Sequence, residues 1–561
     1  MGEVGGSNPL CPTIIFPLYI PLRSLIGLRS GRLDLYHGTS IEETGTPLSA
    51  VFILCSLSEL RSILNLDILG NRSGIESLTI HRMKPNLLTM GVMTGNSLDA
   101  VDVVITRLSP DGGMHDAQHY AGSFPSDLAD TIRVFRDALK GADGNIARAE
   151  RSLPFSLSET HARYIKVVGE ACLATIVSAR TAKTIDRDAT PDLVGFHGQT
   201  CAHLPPSLAR RNSLAPYTAQ LGDAQALANI LDIPIAYDFR SDDIMSGGEG
   251  APFAPMHHLH LARHTRTQGA FPIAFINGGN TGNVSVITNQ IGKREPSAFG
   301  WDTGPFNHFP DLLARREAGI PHDANGEIGL PGSVNETLLR LLFERSAITS
   351  DGGNFLTQRP PRSSDPQWYR EVPELLGTAP VNGTVLSLAD RMRTAEYFSA
   401  YIVMYSLSFI PSDCEFPLYF GLCGGGWKNP VVTNHFRSLM RASPGQVILQ
   451  EHQRLYAEII ARFGKRKPTV ESTSAFGFDP NSMEARIFAD AAARLVWGEP
   501  FSIPPVTGVS TPTICGRIRF PANKDPKSYL VGRAMADAGT LANAQSTKEF
   551  RDTRFGRAIA K

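Results

Sequence analysis

Five times along this chain an apolar, β-branched run stops abruptly in a cluster of glycine and polar residues. Leu87-Leu88-Thr89-Met90 runs into a segment from Gly91 to Asp99, and residues 101–108 then read as the returning strand of a hairpin. Leu193-Val194-Gly195-Phe196 stops at His197-Gly198-Gln199-Thr200, and Ile233-Pro234-Ile235-Ala236-Tyr237 stops at Asp238-Phe239-Arg240, followed by Asp243 and a glycine run to Pro252. Ile273-Ala274-Phe275-Ile276 leads into residues 277–283, and Leu418-Tyr419-Phe420-Gly421-Leu422 leads into Gly424-Gly425-Gly426. The apolar spacing between these units predicts helices over 128–140, 161–179, 388–407 and 483–497. Strands alternating with helices predict α/β layers, in which ligands sit beyond the carboxyl ends of the strands. One glycine turn is ordinary chain punctuation. Five on the same kind of strand end predict a shared cleft.

A chain of 561 residues exceeds what one hydrophobic core supports, so two or more lobes are expected. Lys+Arg and Asp+Glu balance at 54 each, which leaves no global field to hold nucleic acid or an anionic membrane. The seven cysteines are scattered and never spaced as Cys-x-x-Cys, a pattern of a reducing, cytoplasmic compartment. Residues 13–28 are apolar, but Pro17 and Pro21 interrupt them, and the uninterrupted runs fall short of the roughly 20 residues of a membrane span. No basic residue precedes them as in an export signal. Residues 1–85 therefore read as a poorly ordered extension, with Arg23, Arg29 and Arg32 leaving a targeting or partner-binding arm as the alternative.

The chemistry starts from what is missing. No Gly-x4-Gly-Lys-Ser/Thr loop and no helix-opening Gly-x-Gly-x-x-Gly is present. The hairpin tip offers another phosphate device: Gly95 and Asn96 tolerate positive φ, which gathers backbone N–H groups into a concavity, and Ser97 adds a hydroxyl. Asp99 would repel phosphate and suits a metal, a water or a sugar hydroxyl. Transfer of a phosphoryl group to a hydroxyl needs a carboxylate base, and Asp238, closing a rigid strand, is the candidate. Arg240, two residues on, shares its face if the strand continues, and would tune Asp238 or clamp a substrate oxygen. The plain alternative is a surface ion pair at a strand end. His257-His258-x-His260 reads as a helix start after Pro255, with histidines packed or solvated; Lys465-Arg466-Lys467 reads as a solvated face and Cys423 as a small buried residue.

Nine ordered motifs between residues 88 and 520 resemble the anhydro-N-acetylmuramic acid kinase family. They are Gly91 with Gly95 to Asp102, His197 to Thr200, Asp238 to Pro252, Asn277 to Asn283, Asp302 to Asn307, Pro360-Pro361-Arg362-Ser363, Gly424 to Gly426 with Asn429, Met483-Glu484-Ala485, and Thr507-Gly508. The resemblance implies an α/β, two-lobed actin/hexokinase-like (ribonuclease H-like) fold with ATP and Mg²⁺ in an interlobe cleft. The lobes would run over 86–245 and 246–520, with a tail at 521–561. It also implies a carboxylate at Asp238 acting on a water that opens a 1,6-anhydro sugar, whose released O6 takes the γ-phosphate.

By that resemblance Gly95, Asn96, Ser97 and Asp99 form the first phosphate loop, and Asp302, Thr303 and Gly304 form the second. Gly424, Gly425, Gly426 and Asn429 form the nucleotide wall. Glu484 stands near the metal or the base, with Asp238 as a second metal candidate, and His197, Gln199, Arg240 and Asp243 face the sugar. The chain departs from the family at Asn96, Ala100, Glu249, Asn280, Phe306 and Arg362. Phe306 is expected to crowd the second phosphate loop and Glu249 to add negative charge near the sugar. Levoglucosan kinase and a kinase-like binding protein without turnover are the alternatives. The partner is a small sugar, and the sequence leaves a homodimer open.

Overall fold

The computed structural model describes residues 86–524 other than 96, 97, 99, 212, 294 and 365. The expected extension before residue 86 and the tail beyond 524 lie outside the described residues, as do Asn96, Ser97 and Asp99.

In chain order the strands are β1 (Leu87–Thr94), β2 (Ala100–Leu108), β3 (Met114–Ser123), β4 (Leu193–Phe196), β5 (Gln199–Leu204), β6 (Tyr217–Leu221) and β7 (Ile235–Tyr237). There follow β8 (Ile273–Gly278), β9 (Thr281–Asn289), β10 (Pro296–Pro305), β11 (Tyr419–Cys423), β12 (Thr469–Ser472) and β13 (Arg517–Arg519). One sheet has the order β13-β7-β4-β1-β2-β3, a second β10-β9-β8-β11-β12, and β5 pairs with β6 alone.

Counted in its own strands, each large sheet reads 3-2-1-4-5 from one edge. In both, the second strand runs antiparallel to the first and third, while the fourth and fifth run parallel to the first. Two copies of this ribonuclease H-like topology make the expected two-lobed α/β fold. The central strands are buried on both faces, as the parallel pairings require: β4 completely, and β8 at five of six residues.

The helices that matter for the site are α1 (Ser126–Gly141), α2 (Leu157–Thr181), α3 (Phe239–Met245), α4 (Ala254–Thr267), α5 (Leu388–Ser406), α6 (Pro430–Met440) and α7 (Met483–Trp497). The side chains of Ser156 and Ser387 cap α2 and α5 by accepting the backbone N–H of Glu159 and Asp390. No helix among the described residues is long and apolar enough to cross a membrane.

The second segment does not stay in its own lobe. Helix α7 packs on β1, β2 and β4 of the first sheet, and β13 adds to that sheet's edge beside β7. Gly91, read from sequence as the start of a glycine-rich strand end, lies inside β1, and Gly195 lies inside β4, the run in which the sequence reading placed it. A Cβ on either would strike the backbone carbonyl of Ala485 or Phe488, so both glycines exist to let α7 approach. The helix answers with Ala485, Ala489, Ala491, Ala492 and Ala493, all fully buried.

Helix α4 lies against β9 and β10 of the second sheet and meets α7. At that meeting Asp490 of α7 accepts hydrogen bonds from His257 Nδ1 at 3.1 Å, His260 Nδ1 at 3.0 Å and Arg494 Nε at 3.2 Å. The histidine run thus starts a helix after Pro255 as expected, and its side chains are buried. His257 and His260 bind Asp490 while His258 stacks on Phe275.

Candidate active site

The carboxyl ends of β1, β4 and β7 present Gly95, His197 and Asp238, and those of β8 and β11 present Gly278 and Gly424. At the hairpin between β1 and β2, Leu98 N–H bonds Gly95 O at 3.2 Å, which closes the turn.

Strand β7 ends at Tyr237, Asp238 takes a left-handed conformation (φ 56°), and α3 begins at once. Arg240 therefore does not share a strand face with Asp238. The helix turns it elsewhere, where Nε donates to His197 Nε2 at 3.0 Å and Nη1 to Gly250 O at 2.7 Å. His197 Nδ1 donates to Gly198 O at 2.8 Å, which leaves Nε2 as the acceptor. Burial, then the Arg240 charge, push His197 down to about 3, so the ring is neutral.

The carboxylate of Asp238 is occupied by a residue the sequence did not announce. Arg517 Nε of β13 donates to Asp238 Oδ2 at 3.0 Å, and Ser241 Oγ donates to Oδ1 at 2.5 Å. Each oxygen of Asp238 thus holds one hydrogen bond. Asp243 is fully buried, with Oδ2 accepting Gly250 N–H at 2.5 Å and Oδ1 unpartnered, and burial pushes its carboxyl upward. Gln199 Oε1 is likewise buried without a partner. Glu249 Oε2 accepts Ser207 Oγ at 2.6 Å, which holds the carboxylate in place and leaves it its charge.

In the second lobe the β10 register shifts between Asp302 and Gly304, a bulge that re-aims the strand end. Gly304 has φ 126°, which favours glycine. Asp302 Oδ2 accepts Ser364 N–H at 2.7 Å and Ser363 Oγ at 3.2 Å, while Oδ1 has no partner among the described residues. Loss of water around the carboxyl pushes it above the ordinary aspartate range despite those bonds.

The loop is anchored by Arg362, whose guanidinium donates to Asp302 O, Phe355 O, Leu356 O and Gln358 O at 2.8 to 3.1 Å and lies over the rings of Phe355 and Phe409. Burial lowers Arg362 to about 10. Phe306 does not crowd the loop from the cleft: it is fully buried, and a Cβ on Gly278, Gly282 or Gly426 would press on its ring. The phenyl ring is the floor under three glycine turns.

Gly424 (φ 87°) approaches Asn277 and Gly278 so closely that a Cβ would collide with both, whereas Gly425 faces open space. Asn277 Nδ2 donates to Glu484 Oε1 at 3.0 Å, which ties the first turn of α7 to the end of β8. Asn429 is held from behind. Its Oδ1 accepts Val431 N–H at 2.9 Å and caps α6, and its Nδ2 donates to Glu396 Oε1 at 2.6 Å.

The structure thus brings His197, Arg240 and Gly250 into contact. Burial lowers Arg240 to about 10, while the nearby charges of Asp243 and Asp302 oppose the shift. The charge of Asp302 in the second lobe is thus felt at Arg240 in the first, while the groups bonded to Asp302 itself are Ser363 and Ser364. Asn277, Glu484 and Gly424 form a second group. Asp238 is paired with Arg517. The alternation Arg517-Ile518-Arg519 hinted at a strand, but nothing local named its partner 279 residues away.

Residues 87–455 match the family profile described as anhydro-N-acetylmuramic acid kinase. A protein of that name from Rhodopseudomonas palustris (strain HaA2) is 30% identical over 440 residues, covering 78% of this chain and 100% of that one. Another, from Roseobacter denitrificans, is 29% identical over 443 residues, covering 78% of this chain and 95% of its own length. A solved ROK family glucokinase from Streptomyces griseus, in complex with glucose and AMPPNP, aligns at 10% identity and a TM-score of 0.30 over 72% of this chain and 99% of that one. By its profile match and its full-length relatives, the chain belongs to the anhydro-N-acetylmuramic acid kinase family.

Proposed function

We propose that this chain is a cytoplasmic enzyme that uses ATP to phosphorylate 1,6-anhydro-N-acetylmuramic acid at O6 while water opens the anhydro bridge. The carrying observation is Asp302, a carboxyl raised by desolvation, anchored at one oxygen by Ser363 and Ser364 and unpartnered at the other. A carboxylate of raised pKa is a stronger base than an ordinary one. We assign the base to Asp302 in preference to Asp238, whose two oxygens are engaged by Arg517 and Ser241.

In this reading Asp302 Oδ1 takes a proton from water as the water oxygen bonds to C1. The C1–O6 bond breaks with its electron pair on O6, O6 bonds the γ-phosphorus, and ADP leaves. Arg240, oriented by His197 and Gly250, holds a sugar or phosphate oxygen between the lobes. Gly424 to Gly426 form the nucleotide wall, with Gly425 the face left open. Glu484, steadied by Asn277, suits Mg²⁺ held by one carboxylate, waters and phosphate oxygens, and the ion would neutralise phosphate charge. Asp238 does not fit that role while it is bonded to Arg517.

The test is ADP release with three sugars: anhydro-N-acetylmuramic acid, 1,6-anhydroglucose and glucose. The reading predicts turnover of the first at least about a hundredfold above the second in kcat/KM, from lost contacts to the N-acetyl and lactyl groups. Preference for 1,6-anhydroglucose would move the assignment to a levoglucosan kinase, and turnover of glucose alone would defeat it.

A further inference from the structure

One pair of buried acids lies behind the nucleotide wall and is used by none of the chemistry above. Glu396, in the middle of α5, is fully buried, and Asp323, in the loop after β10, is 5% exposed. Asp323 accepts the backbone N–H of Ile328 at Oδ1 and of Gly329 at Oδ2, both at 3.0 Å, so both of its oxygens already serve as acceptors. Two adjacent carboxyls in a low dielectric do not both ionise, so the proton of the pair belongs to Glu396. Burial pushes Glu396 up to about 8; the Asn429 hydrogen bond opposes this, the neighbouring Asp323 reinforces it, and Arg393 opposes it weakly. Asp323 and Arg393 are the charged groups that act on it.

The protonated acid has a donor and an acceptor. Its Oε1 accepts Asn429 Nδ2–H at 2.6 Å, and Oε2, which no donor among the described residues reaches, is the oxygen left to carry the proton on the side of Asp323. The N–H of Asn429 in turn bonds Gly426 O at 3.2 Å, and its side-chain oxygen caps α6. No slack remains around the acid, because any side chain on Gly329 would run into its carboxyl group.

We propose that Glu396, as a neutral acid linking Asp323 to Asn429, is a positioning residue that fixes the Gly424–Gly426 turn in the shape that receives the nucleotide. The inference rests on the nucleotide reading of that turn. Ionising Glu396 places a second negative charge against Asp323 and drives the two elements apart, so nucleotide affinity falls above pH 8.

Calorimetric binding of a non-hydrolysable ATP analogue at pH 7 and pH 9 tests this without turnover, alongside ATP kinetics. Wild type is expected to lose about tenfold in affinity over that interval, one decade for a group titrating near 8. Glu396→Gln keeps the acceptor without a charge. It is expected to bind like wild type at pH 7 and to show no alkaline loss. Glu396→Leu leaves the Asn429 amide unpaired and is expected to raise the ATP KM about tenfold, with kcat and the sugar KM within about threefold.

An alkaline loss in Glu396→Gln equal to that of wild type, or an unchanged analogue affinity in a folded Glu396→Leu, overturns the proposal. A wild type that turns over no anhydro sugar yet shows the alkaline binding loss defeats the functional reading and leaves the relay standing.

Discussion

At the scale of single residues, what matters is which polar atoms are spoken for. Asp238 follows β7, Asp243 lies in α3 and Asp302 lies near the end of β10, and composition treats them alike. Their partners set Asp238 apart: it has Arg517 and Ser241 on its two oxygens, whereas Asp243 and Asp302 are each bonded at Oδ2 with Oδ1 left open, Asp243 inside the first lobe and Asp302 at the bulge of the second. If Asp302 is the base, the acidic limb of kcat/KM tracks its deprotonation in the free enzyme. That limb is expected above the ordinary aspartate range, because burial raises this carboxyl, and activity falls as pH drops through it. A pH profile with its acidic limb at or below the usual aspartate value would argue for an unperturbed carboxylate instead.

At the scale of elements, the strands, the long helices and the order of glycine-rich ends were legible in the letters, because each is a local pattern of period 2 or 3.6. What a glycine does was not. Gly91 and Gly195 look like the loop glycines beside them, yet each lies in a strand and opens a path for α7, a helix nearly 400 residues from Gly91 and 300 from Gly195 in the chain. Phe306 looked like an obstruction and is a floor; Arg240 looked like a neighbour of Asp238 and is turned away by the start of α3.

Gly195→Ala would place a methyl on the Phe488 carbonyl, a contact with no flexible side chain to give way. The expected cost is about 1–3 kcal/mol or more, seen as a lower denaturant midpoint with an unchanged slope. The same substitution at Gly425, where nothing lies within 4 Å, is expected to leave the midpoint in place.

At the scale of the whole molecule, the two sheets repeat one topology, and the chain stitches them together late. Helix α7 and β13 return to the first sheet, and Asp490 joins α7 to α4 through His257, His260 and Arg494. This late return is why lobe boundaries read from sequence missed the source of Arg517. The reacting centre proposed here has Asp302 of the second lobe as base, with its charge felt at Arg240 of the first.

Turnover of Asp302→Asn and Asp238→Asn, measured beside analogue binding, tests it most directly. The account predicts that Asp302→Asn keeps nucleotide affinity and loses about 10²–10⁴ in kcat, while Asp238→Asn loses far less. A folded Asp302→Asn that turns over within about threefold of wild type, with Asp238→Asn inert, would contradict it.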